Sequence, residues 1–329
     1  MTENPLTATA VPESLLQFFH DHKTFLVLGH QEPDADCIGS QLALGSFLQR
    51  QGKHVRLYNH GPFKRPEINR YQPLFEPRID GFAKVDQPAV VILDCSTLDR
   101  IGDLKDDLAG LPVAVIDHHS SGVEFGEVRW VASHRPSTTW LISHLIRAMG
   151  QKPSVEEAHW LMLGLCTDTG FFRHLEASSQ ETFQVAAFLA EAGASPKAVF
   201  AQINGGKLLP NQKLMGLMLS RTESHFDGRL LYSWEELTDR EKLGAENRES
   251  DIIYQTLQGV STCELIVLLR QDTASKVTGG LRSRSYVDVG VLAQQFGGGG
   301  HVRASGFSCT GTVAEVWERL RQTVAPQFL

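Results

Sequence analysis

Hydrophobic positions along this chain follow two rhythms. Three short unbroken apolar runs are Phe25-Leu26-Val27-Leu28, Ala89-Val90-Val91-Ile92-Leu93 and Val113-Ala114-Val115-Ile116. Their length and β-branched content predict strands buried on both faces, as in a parallel sheet. Between them the spacing turns helical. Glu13 to His22 predicts a first helix, and Ile38, Leu42, Leu44, Phe47 and Leu48 predict a second over Ile38 to Gln51, ending at Gly52. Strand and helix in alternation predict an α/β domain with a doubly wound, mainly parallel sheet. The run Leu161-Met162-Leu163-Gly164-Leu165 fits helix and strand equally well. Residues 59 to 80 carry four prolines and read as an irregular excursion, whereas Glu176 to Gly193 reads as an amphipathic helix.

The pattern changes after residue 193. Pro196, Gly205, Gly206 and Pro210 mark a break, so we expect a first domain over 1–194, a linker over 195–211 and a second domain over 212–329. In that second part Leu230 to Trp234 and Leu265 to Leu269 read as strands. Val277 to Ser285 pairs back across the turn-like Gln271 to Ser275. A short helix from Val287 to Phe296 runs into Gly297-Gly298-Gly299-Gly300-His301, and a helix from Val313 to Val324 follows. These elements predict a smaller α/β domain with a mixed sheet.

Bulk properties narrow the function classes. At 329 residues the chain is long for one core, and 42% hydrophobic with 21% charged residues is ordinary globular composition. No apolar run approaches the roughly 20 residues that span a bilayer. Met1 to Val11 lacks the layout of a secretory signal, and five cysteines without CxxC spacing favour reduced thiols. A cytoplasmic protein without a membrane partner is therefore expected. The net charge of −7 argues against coating long nucleic acid and is compatible with a short phosphate substrate.

Candidate chemistry lies where the apolar runs stop. His30, Asp34 and Asp36 follow the first run, Asp94 the second, Asp117, His118 and His119 the third, and Asp168 the ambiguous fourth. A single aspartate at a strand end is most often a helix cap or turn residue. Such residues after successive elements would instead converge on one rim of the sheet, where α/β folds bind ligands. Mixed carboxylate and imidazole donors suit Mn²⁺ or Mg²⁺ better than a thiolate-rich zinc site. Cys37, Cys95 and Cys166 lie close to these donors in sequence and read as small buried apolar residues. Four glycines before His301 bring backbone N–H groups within reach of a phosphate, with the Arg282 guanidinium completing an anion site.

The ordered set HxxPDxDxIGS, a strand-end Asp, DHH and TDTGxF resembles the DHH phosphoesterases. The second half, with Leu281-Arg282-Ser283 and Gly297 to His301, resembles the DHH-associated domain. Together they are similar to the bifunctional oligoribonuclease and pAp phosphatase branch, the nanoRNases. The resemblance implies two divalent ions, Mn²⁺ foremost with Mg²⁺ or Co²⁺ as alternatives. His30 and Asp34 would hold the first, Asp36, His118 and Asp168 the second, and Asp94 would bridge both. It implies Asp94, His118 and His119 as catalytic residues, with His119 facing the substrate and Asp117 orienting a neighbouring imidazole or ligand. Arg282, Ser283, Gly298, Gly299, Gly300 and His301 would bind the substrate's other end, placing the active site in a cleft between the domains. The implied substrates are short RNA oligonucleotides and pAp, with cyclic or linear dinucleotides as the alternative. A homodimer through exposed apolar helices near the linker is compatible with the pattern.

Overall fold

The structure, a computed structural model, describes residues 10–79, 87–95, 97–120, 122–177, 179–245 and 250–328. Most of the polar stretch Met1 to Val11 and the last residue of the proline-rich segment 59–80 lie outside the described residues. The chain divides into two compact units, 1–206 and 207–329.

The first unit contains α1 (Glu13–Asp21), β1 (Thr24–Gly29), α2 (Ala35–Arg50), β2 (His54–Tyr58), β3 (Ala89–Leu93), β4 (Val113–Asp117), β5 (Val128–Val131), α3 (Thr138–Ala148), α4 (Val155–Asp168), α5 (Gln180–Glu191) and α6 (Pro196–Asn204). Its five strands are all parallel, in the order β2-β1-β3-β4-β5. β1 and β3 are buried almost throughout because both faces of the sheet are covered. One face packs Phe25, Val27, Val91, Leu93 and Ile116 against Ile38, Leu42, Leu141, Leu161 and Leu165 from the helices. The other packs Leu26, Leu28, Val90 and Ile92 against Ile101, Leu104 and Leu108 of a 3-10 segment.

The ambiguous apolar run is helix. A capping box decides it: the Ser154 hydroxyl accepts from Glu157 N at 3.2 Å while Glu157 Oε2 accepts from Ser154 N at 2.8 Å. Asp168 therefore sits at the end of a helix rather than beyond a strand. The opening of the expected linker is also helical, since the Ser195 hydroxyl caps α6 by accepting from Ala198 N and Pro196 fits its first turn. Only 205–208 separates α6 from the next helix.

The second unit comprises α7 (Leu209–Ser220), β6 (Glu223–His225), β7 (Leu230–Glu235), α8 (Asp239–Leu243), α9 (Ser250–Gln258), β8 (Leu265–Thr273), β9 (Lys276–Ser283), α10 (Val289–Gln294), β10 (Gly299–His301), β11 (Ala304–Thr310) and α11 (Val313–Val324). Its mixed sheet runs β10-β11-β9-β8-β7-β6, and β7 with β8 is the parallel pair. The glycine run expected as a loop is half strand: Gly299 to His301 pairs antiparallel with Ala304 to Gly306.

Candidate active site

Local structure explains how each donor is aimed. β1 ends at Gly29, and the chain turns through His30 into α2, whose N-cap is Asp34. Asp34 Oδ1 accepts from the backbone N of Asp36 (3.0 Å) and Cys37 (3.1 Å). The ordinary role of a strand-end aspartate is thus filled, and Asp34 still stands 3.9 Å from His30 Nε2. Asp94 caps β3 with a left-handed backbone, φ 57°, a conformation uncommon outside glycine and found most often at functional turns.

The histidines are aimed by their far nitrogens. His30 Nδ1 lies 2.7 Å from the Gln31 carbonyl and His118 Nδ1 lies 3.2 Å from the Arg135 carbonyl. Donation from Nδ1 in both leaves Nε2 as the inward atom. Asp94 then presents one oxygen to each ring: Oδ2 is 3.5 Å from His30 Nε2 and Oδ1 is 3.5 Å from His118 Nε2. His118 Nε2 also lies 3.2 Å from Asp168 and 3.8 Å from Asp36. Asp117 Oδ1 accepts from His119 Nδ1 at 2.7 Å and from the backbone N of His118 and His119. His30, Asp36, Asp94 and Asp117 are almost wholly buried.

Sequence reasoning missed the partners of the deepest carboxylates. Asp36 is clasped by the start of α3: Oδ2 accepts from Thr138 N (2.6 Å), and Oδ1 from Thr139 N (2.9 Å) and the Thr139 hydroxyl (2.5 Å). The Thr138 hydroxyl donates to Asp94 Oδ1 at 3.0 Å. One helix N-terminus, with its backbone donors and positive dipole end, therefore orients two carboxylates. The legible trace is Ser137-Thr138-Thr139 ahead of an apolar helix, which by itself says only helix cap. In TDTG, the Thr169 hydroxyl donates back to the Leu165 carbonyl, and Gly170 turns the chain with φ 56°.

The electrostatics call for a cation. Burial, then the charges of Asp168 and Asp94, push the Asp36 carboxyl well above the usual range. Burial also raises Asp168, against the pull of His118. For His118 burial opposes protonation, but Asp168, Asp36 and Asp94 outweigh it and lift the imidazole to about 10. Asp94 is held down to about 2, because His30, His118 and His119 outweigh its burial. Three overlapping groups of donor atoms, each within 4.8 Å of one another, arise among the described residues: His30, Cys37 and Asp94; Asp94, His118 and His119; Asp36, His118 and Asp168. Buried carboxylates with inward imidazole nitrogens are the donor set of a divalent-cation site. Cys37 is the poorest of these donors, since burial raises its thiol and Sγ points 3.6 Å from Gln41 Oε1.

Gly164 lets α4 approach this site. A Cβ there would fall 2.8 Å from Asp36 Oδ1 and 2.5 Å from the Thr139 methyl. Gly164→Ala is expected to cost about 1–3 kcal/mol by overpacking and to weaken Mn²⁺ binding by displacing Asp36. Thermal unfolding and metal titration check it, and a variant equal to wild type in both would refute the packing argument.

In the second unit the remaining candidates separate into two kinds. Strand register places Arg282, Ala304 and His301 in one row, and Gly280, Gly306 and Gly299 two positions on, in the next row of the same face. The second row carries no side chains of its own; the Tyr254 hydroxyl covers its Gly280 end, where a Cβ would fall 2.2 Å from it, and the Gly299 end is open, with nothing within 4 Å of a Cβ. Arg282 borders that row with its guanidinium 4.4 Å above the Tyr254 ring. Gly298 and Gly300 are tight instead, because a Cβ would fall 2.2 Å from Gly306 O and 2.7 Å from Ala304 O. Ser283 is buried and its hydroxyl donates to the Val287 carbonyl at 2.6 Å, so its visible work is structural. Arg284 donates to the Ser261 and Val260 carbonyls.

A parallel α/β sheet whose rim gathers carboxylates and inward imidazoles is an enzyme scaffold able to hold divalent cations. The first unit matches the DHH family N-terminal domain over residues 24–165, and the second matches the DHHA1 domain over 227–327. The chain belongs to the DHH family of phosphoesterases. It is 28% identical to the bifunctional oligoribonuclease and PAP phosphatase NrnA of Thermus thermophilus, covering 91% of this chain and 88% of that protein. It is 25% identical to the NrnA of Bacillus subtilis, covering 87% and 90%. The cyclic-di-AMP phosphodiesterase GdpP of Geobacillus thermodenitrificans is 23% identical over 98% of this chain but only 50% of its own length. Among solved structures, an exopolyphosphatase-related protein of Bacteroides fragilis aligns with a TM-score of 0.76 and 24% identity, covering 100% and 99% of the two chains. That likeness concerns the fold.

Proposed function

We propose that this protein hydrolyses short oligoribonucleotides to mononucleotides and removes the 3′-phosphate of pAp, with two divalent ions, Mn²⁺ foremost. The observation that carries the reading is Asp94, whose two oxygens face two differently anchored histidines, as a carboxylate bridging two ions must. Relatives named as oligoribonuclease and PAP phosphatase, matched along about nine-tenths of the chain, support the substrate class.

In this reading His30 and Asp34 hold one ion, and Asp36, His118 and Asp168 the other. Bound ions would supply Lewis acidity and an activated water at neutral pH. The chain's own residues do the rest. Thr138 and Thr139 keep Asp36 and Asp94 from rotating out of position. Asp117 fixes His119 through Nδ1 and favours its protonated form, so Nε2–H is the proton offered to the departing oxygen. Arg282 and His301, beside the open position at Gly299, bind the substrate's far phosphate, whereas the Gly298 N–H expected for that role is spent on the Ala293 carbonyl at 2.9 Å. Arg282→Ala is expected to raise KM about tenfold with kcat nearly unchanged, measured by steady-state kinetics on a five-nucleotide RNA. A kcat loss at constant KM would remove Arg282 from that role.

Turnover of a five-nucleotide RNA, pAp and cyclic di-AMP, side by side with Mn²⁺, tests the whole reading. Release of mononucleotides together with dephosphorylation of pAp is the expected result. Activity confined to cyclic di-AMP would move the function to dinucleotide breakdown.

A further inference from the structure

A cavity of about 200 Å³ opens beside His119 and Asp117, on the sheet face that carries Val115 and Asp117. β4–β5 register pairs Val115 with Arg129 and Asp117 with Val131, so these four side chains share that face, opposite the buried Trp130. Phe125 lines it and packs against the core that contains Cys95. The floor is thus apolar, made by Val115, Phe125 and Cys95. At the rim Arg129 Nη1 meets Glu124 Oε1 at 2.8 Å and places a donor and an acceptor at the edge. One mouth is formed by the imidazole assigned above to the leaving oxygen.

The slot has an apolar floor and polar edges, with Asp117, His119 and Ser120 at one end and Glu124 and Arg129 at the rim. A flat aromatic ring with polar edge atoms fits it, since its faces lie on apolar walls while its edge meets Arg129 and Glu124. We infer that this cavity receives the nucleobase of the nucleotide whose phosphate lies at the metal centre. The inference rests on the phosphoesterase reading above and extends it: base contacts, and not phosphate alone, set affinity at the scissile position. Stacking and edge contacts of this kind contribute about tenfold or more in affinity.

The test compares binding of AMP and ribose 5-phosphate to the Mn²⁺-loaded full chain, because the two differ only in the base. AMP is expected to bind about tenfold tighter. Val131→Trp fills the cavity from a partly exposed wall and should bring AMP to the affinity of ribose 5-phosphate, leaving the latter unchanged. Phe125→Ala, which removes an apolar wall, should narrow the same gap. Equal affinities in wild type, or a gap that survives both substitutions, would overturn the pocket. Turnover of a five-nucleotide RNA is read in parallel. An AMP gap without turnover supports the pocket while overturning the function, and turnover without a gap does the reverse.

Discussion

Asp94→Asn abolishes turnover, lowering kcat about a thousandfold or more, while the protein stays folded. The carboxylate faces His30 with one oxygen and His118 with the other, so its loss removes a contact from both halves of the site at once. Asparagine is the informative replacement because the position is left-handed, φ 57°, which asparagine tolerates better than alanine. Asp94→Ala would add a backbone penalty to the chemical loss. Circular dichroism and thermal unfolding establish that the fold persists, and Mn²⁺-dependent hydrolysis of a five-nucleotide RNA reads the chemistry. Retention of a tenth of wild-type activity would show that Asp94 is not shared between two ions.

With His118 as a ligand, as proposed, Mn²⁺ affinity is expected to rise about tenfold for each pH unit through neutrality, one proton being displaced for each ion bound. In the metal-free protein His118 is lifted to about 10 by Asp168, Asp36 and Asp94 against its burial, so it is protonated at neutral pH. A ligating imidazole must be neutral, and binding therefore expels that proton. The stability sign follows: the protonated His118 contributes fully below its ordinary value of 6.5 and is lost as pH rises through about 10. The Tm gap between loaded and metal-free protein should widen as the medium becomes alkaline. Calorimetric titration in two buffers of different protonation enthalpy counts the expelled protons. A metal affinity constant between pH ~6.5 and ~8.5 would exclude His118 as a ligand that gives up a proton.

Much of this site was legible in the chain. Donors at the ends of Leu26 to Leu28, Val90 to Leu93 and Val113 to Ile116 could be read because a buried parallel strand announces itself by composition, and its carboxyl end is where such folds bind ligands. The pairing of Leu265 to Leu269 with Val277 to Ser283 was legible for a similar local reason. Asp168 was harder: Leu161 to Leu165 is apolar all round, so periodicity is silent, and a cap at Ser154 with close packing against α2 selects helix.

What the sequence determined by itself is therefore the parallel character of the first sheet and the placing of candidate donors at the ends of its apolar runs, because these follow from residue type and short-range pattern. The tertiary structure alone decided which atom each donor presents. The clasp of Thr138 and Thr139 on Asp36, across about a hundred residues, the carbonyls that turn His30 and His118 inward, and the Ser283 hydroxyl spent on Val287 are contacts with backbone groups. Every residue carries such groups, so they leave no mark in the order of side chains.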